Sequence, residues 1–183
     1  MMAKRTQPDG DSVMGRPPVK REKIVDALHR RIVTNRLRPG TRLPTRRELA
    51  SRFNVSLVTA QSALEHLASE GFVESRGAAG SFVAERPPHL HTYAVVFPFG
   101  PKAPGFRLFW STLSHVSERL ESRRGCRIKC WYNINGHVDH RDYRDLRDRV
   151  LRHRVAGLIF ATPPFLLEGD ELLEAPGIPR AAI

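Results

Sequence analysis

The stretch LPTRRELASRFNVSLVTAQSALEHLASEGFVES, residues 43–75, constrains the fold more than any other part of the sequence. It predicts two short helices joined by a tight corner. Thr45 and Glu48 form a capping box, in which each side chain satisfies a free backbone N–H at the start of the first helix. Asn54 ends that helix, because asparagine tolerates the left-handed conformation that closes helices.

The second helix of this pair runs from Leu57 to about Glu70. Ser56 offers it a hydroxyl cap, and Gly71 stops it. Small and apolar residues at helical spacing form its inward stripe: Ala60, Ala63, Leu64 and Leu67. The outer side or the tip of the helix carries Leu57, Val58, Gln61, Ser62 and Glu65. The pattern therefore raises the question of what this outer side contacts.

The flanking patterns complete a winged helix-turn-helix, an α+β fold that we place at residues 19–85. Ile24, Leu28 and Ile32 recur every four residues, which predicts an amphipathic helix ending near Asn35. After Gly71 the period changes to alternation, and two short strands flank the small-residue turn GAAG, residues 77–80.

Residues 1–18 are polar, with glycine, proline and scattered charge, and predict a flexible basic arm. Arg16 could enter a minor groove, as basic arms do. A plain disordered leader is the alternative.

The net charge of +11 leans toward the first half of the chain. A basic excess attracts polyphosphate, although a merely soluble basic surface explains it as well. No apolar run approaches the roughly 20 residues of a membrane helix, and no apolar leader is present. We therefore expect a cytoplasmic protein with no membrane partner.

Several patterns bear on catalysis and metal binding. Cys126 and Cys130 lie four residues apart in a predicted strand, about 13 Å between Cα atoms, which is too far for a disulfide. They also lack the second cysteine pair of a zinc site. The HxxH and HxH patterns at residues 137–140 and 89–91 have no suitably spaced third ligand. No nucleophile elbow or P-loop occurs. We expect no metal, no cofactor and no enzymatic activity.

A different pattern occupies residues 93–183, after a proline-containing linker at 86–92 that we expect to be extended. YAVVFPF, RIKCWYN, VAGLIFATPP and GIPRAAI read as strands. Helical stripes alternate with them; one comprises Phe109, Leu113, Val116 and Leu120, and the other Tyr143, Leu146 and Val150. Alternating strands and helices predict an α/β doubly wound parallel sheet.

The run PGTRLPTRRELASRFNVSLVTAQSALEHLASEGFVESRGAAGSFV, residues 39–83, resembles the DNA-binding domain of the GntR family of bacterial transcription regulators. The resemblance covers residues 19–85 and implies that the second helix of the pair enters the major groove of operator DNA. The arginine that matches Arg47 contacts DNA in that family, whereas Arg46 is either a phosphate contact or a solvated side chain. The expected DNA-binding residues are Thr45, Arg46, Arg47, Ser56, Leu57, Val58, Thr59, Gln61, Arg76, Gly77 and Gly80.

The sequence departs from the family at Leu57 and Gln61, where the family commonly has arginine. Arginine reads guanine, glutamine suits adenine, and an apolar side chain suits the thymine methyl group. We therefore predict a preference for an A·T pair where relatives read guanine. Alternatively, Leu57 packs on the wing and Gln61 reaches a phosphate or water.

Residues 93–183 resemble the first part of the sugar-sensing effector domain of LacI/GalR-type regulators, which is built like a periplasmic binding protein. VVFPF and GLIFATPP carry this resemblance. Ligands sit beyond the carboxyl ends of parallel strands, so the expected ligand-binding residues are Phe99, Phe109, Trp110, Tyr132, Asn133 and Thr162. Phe109 starts the helix stripe and is instead expected in the core, which leaves Trp110 as the better candidate. The chain stops at Ile183 inside a predicted strand, so we expect an incomplete effector domain, from a truncated product or a partial sequence.

These patterns together predict a ligand-responsive repressor that binds double-stranded operator DNA. Its effector is expected to be a small molecule, plausibly a sugar, and the full-length form a homodimer. The alternative is a sugar-binding module, or a truncated fragment, that does not bind an operator.

Overall fold

A computed structural model of the protein describes residues 20–104 and 108–183. The expected arm at residues 1–18 lies outside the described residues. In the described part, every helix is too short or too polar to cross a bilayer.

The first unit consists of three helices and a two-stranded wing. The helices are α1 (Lys20–Val33), α2 (Arg46–Phe53) and α3 (Leu57–Ser69). Strands β1 (Val73–Ser75) and β2 (Ser81–Val83) pair antiparallel, with Glu74 opposite Phe82. The predicted winged helix-turn-helix is confirmed.

The inward stripes of the three helices form one core. Its fully buried members include Ile24, Ile32, Leu49, Ala60, Ala63, Leu67 and Phe72. Each large apolar side chain removed from water contributes about 1.5–3 kcal/mol, so this cluster fixes the orientation of α3 against α1 and α2. Asn35 and Asn54 adopt φ values of 56° and 49°, which confirms that asparagine closes both helices in the left-handed conformation.

The expected extended linker is partly helical. Pro88–His91 forms one helical turn, α4, in which His91 Nδ1 lies 2.7 Å from the Pro87 carbonyl oxygen. Proline suits this turn, because the first helical residues donate no hydrogen bond within the helix.

The second unit is an alternation of strands and helices. Its elements are β3 (Thr92–Val96), α5 (Leu108–Arg124), β4 (Arg127–Trp131), α6 (Arg141–Leu151), β5 (Gly157–Phe160), α7 (Glu171–Glu174) and β6 (Arg180–Ala182). The strands form one parallel sheet in the order β4-β3-β5-β6. The predicted parallel sheet is confirmed.

Both faces of this sheet are covered. Ala94 and Val96 pack with Leu146 of α6 in one cluster, and Val95 and Phe97 pack with residues of α5 in another. Successive strand residues point to opposite faces, which is why one strand, β3, serves both clusters. The sheet is therefore doubly wound, and the strand order reverses at β3.

The predicted stripe of α6 is confirmed, since Tyr143, Leu146 and Val150 are buried. The predicted stripe of α5 was correct only for Leu113, which packs against the sheet. Phe109, Val116 and Leu120 are exposed, and Trp110, Ser114 and Ser117 face the sheet in their place. Two serines can lie there because their hydroxyls are satisfied: Ser114 meets the Tyr132 hydroxyl at 2.7 Å, and Ser117 donates to the Leu113 carbonyl at 2.7 Å.

The two units contact each other through α1, the end of α3 and the segment that follows α6. His29 Nε2 lies 2.9 Å from the Arg152 carbonyl oxygen. Glu70, directly after α3, lies 3.6 Å from Arg152 and 3.5 Å from Arg154. The helix expected to read DNA is thus joined at its far end to the second unit.

Candidate nucleic-acid interface

The first turn of α2 has several features that favour the binding of an anion. Thr45 is the N-cap and accepts from the Glu48 amide, while Glu48 Oε2 accepts from the Thr45 amide at 2.7 Å. These hydrogen bonds from Thr45 hold the pKa of Glu48 below its usual value. Arg46 and Arg47 follow in the first helical turn, where the free amides and helix dipole also favour a phosphate.

Arg46 and Arg47 are both exposed, and neither is ion-paired with any side chain of the described residues. A guanidinium that already faces a carboxylate would have to exchange it for a phosphate, and these two need no such exchange. Both are therefore available to a phosphate, and their contact with DNA stays a prediction.

The start of α3 combines a satisfied cap with exposed apolar side chains. Ser56 Oγ accepts from the Thr59 amide at 3.1 Å and lies 2.8 Å from the Thr59 hydroxyl. The Ser56 and Thr59 side chains thus shape the helix end. Leu57 is 52% exposed and Val58 is 77% exposed. Neither belongs to the core cluster of this unit, so both present apolar surface at the start of α3.

Gln61 lies one turn further along α3 and is held by a neighbour. Its Nε2 donates to Glu65 Oε1 at 2.7 Å. Both residues line a groove of about 490 Å³ between α3 and the wing, which also includes Arg46 and Gly80. Gln61 is therefore at the predicted surface, in a fixed orientation that the sequence pattern did not reveal.

The wing residue Arg76 is more constrained than the sequence suggested. It forms ion pairs with Glu74 and Glu85 at 3.4 and 3.1 Å, and its guanidinium lies 4.7 Å from the ring centre of Phe82. These contacts, with the Glu85 hydrogen bond as the largest cause, raise the pKa of Arg76. Contact with DNA would require Arg76 to leave two carboxylates.

The wing tip depends on glycine. Gly77 and Gly80 have φ values of +57° and +103°, in the region that other residues rarely adopt, and a short 3₁₀ turn joins them. Among the described residues, no atom apart from the chain neighbours of Gly77 lies within 4 Å of the position that a Cβ atom would take there. Both residues lie where the sequence placed them.

Sequence reasoning missed Arg42. It pairs through its backbone with Phe82 of the wing, lines the same groove as Gln61, and lies 3.5 Å from the Cβ position of Gly80. Its place between α2 and the wing adds a cation to the surface. The only available signal was its position next to the capping box, within GTRLPT.

Several of the expected ligand-binding residues lie at the carboxyl end of the parallel sheet of the second unit. Phe99 and Trp110 have ring centres 6.1 Å apart, and Trp110 Nε1 donates to the Ala161 carbonyl at 3.2 Å. Thr162 lines a cavity of about 50 Å³, far below the roughly 300 Å³ or more of typical ligand sites.

Three further ligand candidates differ in their surroundings. Tyr132 stacks on Phe97 with ring centres 5.2 Å apart, and Asn133 adopts a φ of 60°. Phe109 is 55% exposed, so its expected place in the core was wrong. Trp110 packs on the sheet in its stead.

Residues 20–83 match the family model described as bacterial regulatory proteins, gntR family. The mannosyl-D-glycerate transport/metabolism system repressor MngR of Escherichia coli (strain K12) is 38% identical over 72 residues, covering 39% of this chain and 30% of MngR. The HTH-type transcriptional repressor NagR of Bacillus subtilis (strain 168) is 29% identical over 108 residues, covering 56% of this chain and 44% of NagR.

Among solved structures, AraR(DBD) in complex with operator ORR3 is 29% identical, covering 44% of this chain and 93% of that chain with a TM-score of 0.37. The chain spans 30%, 15% and 23% of the lengths of the first three curated relatives. These relatives are transcription regulators, and no enzyme family is indicated. Residues 20–83 of this chain therefore fold as a winged helix-turn-helix and match the family model of the gntR bacterial regulatory proteins.

Proposed function

We propose that this protein binds a specific operator through α3 and represses transcription, and that a small ligand of the second unit changes its affinity for DNA. The observation that carries the proposal is the exposed start of α3. Apolar side chains of Leu57 and Val58 face solvent there, and Arg46 and Arg47 of α2 form no ion pair with the part of the chain that the structure describes. An apolar surface rimmed by cations suits a major groove, where thymine methyl groups lie between two phosphate backbones.

The two arginines of α2 have a different role from the α3 residues. Phosphate contacts from Arg46 and Arg47 place the domain on the duplex and carry no sequence information. Side chains of α3 then meet base edges. Replacing an α2 arginine should weaken binding to all sequences alike, whereas replacing an α3 residue should change the preferred sequence.

Binding-site selection from random duplex DNA with the purified chain tests the proposal, followed by affinity measurements over a range of salt. An enriched motif with a steep loss of affinity at higher salt is expected. Each neutralised phosphate contributes about −0.9 to the slope of log K against log salt, so Arg47→Ala should make the slope shallower by about 1.

Arg144→Ala is the matched control. Arg144 is an exposed arginine of α6 in the second unit. It should leave both the slope and the motif unchanged. Binding without any enriched motif would contradict the proposed function, and it would favour a fragment that does not read an operator.

The proposed ligand response rests on the doubly wound sheet. In such sheets, ligands bind beyond the carboxyl ends of the strands, where the strand order reverses. Phe99, Trp110 and Thr162 lie at that edge. A sugar ring would stack on an aromatic face there, as the resemblance to LacI/GalR-type effector domains implies.

A panel of mono- and disaccharides added to the operator complex tests this part. One sugar should shift the operator affinity of the unaltered protein, and Trp110→Ala should abolish the shift while leaving affinity without sugar unchanged. We propose a homodimer for the full-length form, and sedimentation of that form with a two-half-site operator tests it. A one-to-one complex on that operator would contradict it.

A further inference from the structure

Gln61 and Glu65 form a polar pair in the groove between α3 and the wing, and this pair is separate from the phosphate contacts proposed for Arg46 and Arg47. Gln61 Nε2 donates to Glu65 Oε1 at 2.7 Å, and both side chains line this groove. Glu65 is a carboxylate on a surface that must approach polyphosphate. Its negative charge repels the phosphates of any DNA sequence. A useful role for Glu65 in binding would therefore concern the choice between sequences.

The chemistry of Glu65 fixes the orientation of the Gln61 amide. An ionised carboxylate only accepts hydrogen bonds, so the group that faces it must be the NH₂ of Gln61 and not its carbonyl oxygen. One N–H is thereby engaged. The second N–H and the carbonyl oxygen are left as one donor beside one acceptor.

This donor and acceptor match one base. Adenine presents N7 as an acceptor and N6–H as a donor in the major groove, whereas guanine presents two acceptors, N7 and O6. An amide held by Glu65 satisfies adenine with both groups. Facing guanine, its carbonyl oxygen would meet O6, and two acceptors repel each other. Without Glu65, the amide can rotate and its preference weakens.

We infer that Glu65 is a positioning residue that holds the Gln61 amide for adenine and thereby sets the base preference at one position of the operator. The inference rests on the proposed function, since it requires α3 to lie in the major groove. It extends that function to a residue that needs no contact with DNA. A helical i, i+4 pair is suited to this, because the two side chains lie on the same face of α3.

The experiment is parallel binding-site selection with the unaltered chain, Glu65→Ala, Gln61→Ala and the double variant. A good bidentate contact discriminates between bases by about 5- to 150-fold. Glu65→Ala and Gln61→Ala should each lower the adenine-to-guanine ratio at the same base pair by at least about fivefold. The double variant should lose no more than Gln61→Ala alone, because the two residues act as one unit.

Two controls separate positioning from charge. Glu65→Gln keeps an acceptor and should restore part of the adenine preference. Asp26→Asn removes a negative charge from exposed α1, away from the groove, and should leave the ratio unchanged. Loss of the Glu65 charge is also expected to raise affinity for all sequences alike. This general gain does not by itself change the adenine-to-guanine ratio at one base pair.

The outcomes distinguish the two levels of the proposal. An enriched motif whose adenine-to-guanine ratio is the same in the unaltered chain and in Glu65→Ala would overturn the role of Glu65 alone. No enriched motif with the unaltered chain would overturn the proposed operator binding, and the inference with it. Circular dichroism of each variant checks that the helices are retained.

Discussion

Leu57 and Gln61 occupy positions where the GntR family commonly has arginine, and the structure gives each a distinct environment. Leu57 is exposed at the first turn of α3, without a polar group to offer a base edge. Gln61 is held by Glu65. An apolar side chain and a one-donor, one-acceptor amide both suit A·T pairs. Two neighbouring departures therefore favour the same kind of base pair.

Gln61→Arg should move the preference at one base pair from A·T to G·C. Arginine can donate two hydrogen bonds to guanine N7 and O6, a contact worth about 1–3 kcal/mol of discrimination. Competition between duplexes that differ at this pair measures the change. Ser69→Arg adds the same charge at the far end of α3 and should raise affinity without changing the preference. If Gln61→Arg also leaves it unchanged, Gln61 does not read a base.

At the scale of the element, α2 is short, with eight residues, and its N-terminal cap supplies much of its definition. Helices of this length are unstable alone in water. The capping box ties Thr45 to Glu48 in both directions, and the same turn carries the two exposed arginines. The Thr45 hydroxyl thus stabilises the first turn of α2 and thereby positions Arg46 and Arg47.

Thr45→Ala should therefore lower the free energy of unfolding by about 1 kcal/mol, as is typical for loss of an N-cap. Urea unfolding followed by circular dichroism measures it. Thr45→Ser keeps the hydroxyl oxygen and should be nearly neutral. Equal losses in the two variants would mean that the methyl group of Thr45, and not the cap, stabilises the domain.

The two long helices of the second unit show what periodicity can predict about an element. Tyr143, Leu146 and Val150 form a stripe of large side chains with charged residues between them, so α6 was oriented correctly. In α5 the side facing the sheet includes Ser114 and Ser117, which a hydropathy pattern assigns to solvent. Their partners, the Tyr132 hydroxyl and a helix carbonyl, depend on tertiary structure and on rotamers, which spacing does not encode.

Local signals predicted the caps, turns and helices of the candidate interface, because these are encoded within a few residues, but they did not reveal Arg42. The Gln61 hydrogen bond to Glu65 was within reach of i, i+4 reasoning, whereas the ion pairs of Arg76 were not. Arg76 meets Glu85 only because β1 and β2 pair across the wing. The sequence predicted that Arg76 lies at the DNA-binding surface. It did not reveal the ion pairs with Glu74 and Glu85 that Arg76 would have to break to bind DNA.

At the scale of the whole molecule, the contact between the two units is the feature that the sequence patterns were least able to predict. One of its pairs, His29 with Arg152, is separated by 123 residues. Glu70 closes the end of α3 and has a side chain only 9% exposed, between Arg152 and Arg154 of the second unit. A carboxylate this buried needs such partners. Any change in the second unit that moves these arginines alters the contacts at the end of α3, the helix that we propose reads DNA.

Histidines line the same contact and make it sensitive to pH. The His89 ring stacks on Phe72, with ring centres 5.8 Å apart, and Phe72 in turn meets the His29 ring edge-on at 4.6 Å. Burial, followed by the nearby His29, His153 and His91, lowers the pKa of His89 from 6.5 to about 4. Burial also lowers the pKa of His29. The folded protein therefore holds His89 neutral where the unfolded chain protonates it.

The free energy of unfolding should consequently decrease as the pH is lowered from 6.5 to about 4. Above pH 6.5 the histidine is neutral in both states, and its contribution is fully present. Between pH 6.5 and about 4 only the unfolded chain takes up the proton, so the free energy of unfolding falls as pH falls. From pH 7 to pH 5 the loss due to His89 should be on the order of 1 kcal/mol, after allowing for its partial exposure to solvent.

His89→Gln removes this titration and tests its contribution. Urea unfolding at pH 7 and pH 5 should show a smaller loss of stability for His89→Gln than for the unaltered protein. His115→Gln, on the exposed side of α5, leaves the contact between the units intact and should lose as much as the unaltered protein. An equal loss in His89→Gln would show that acid sensitivity arises elsewhere in the molecule. A smaller loss would mean that His89, between the first unit and the second unit, contributes to the acid sensitivity of the fold.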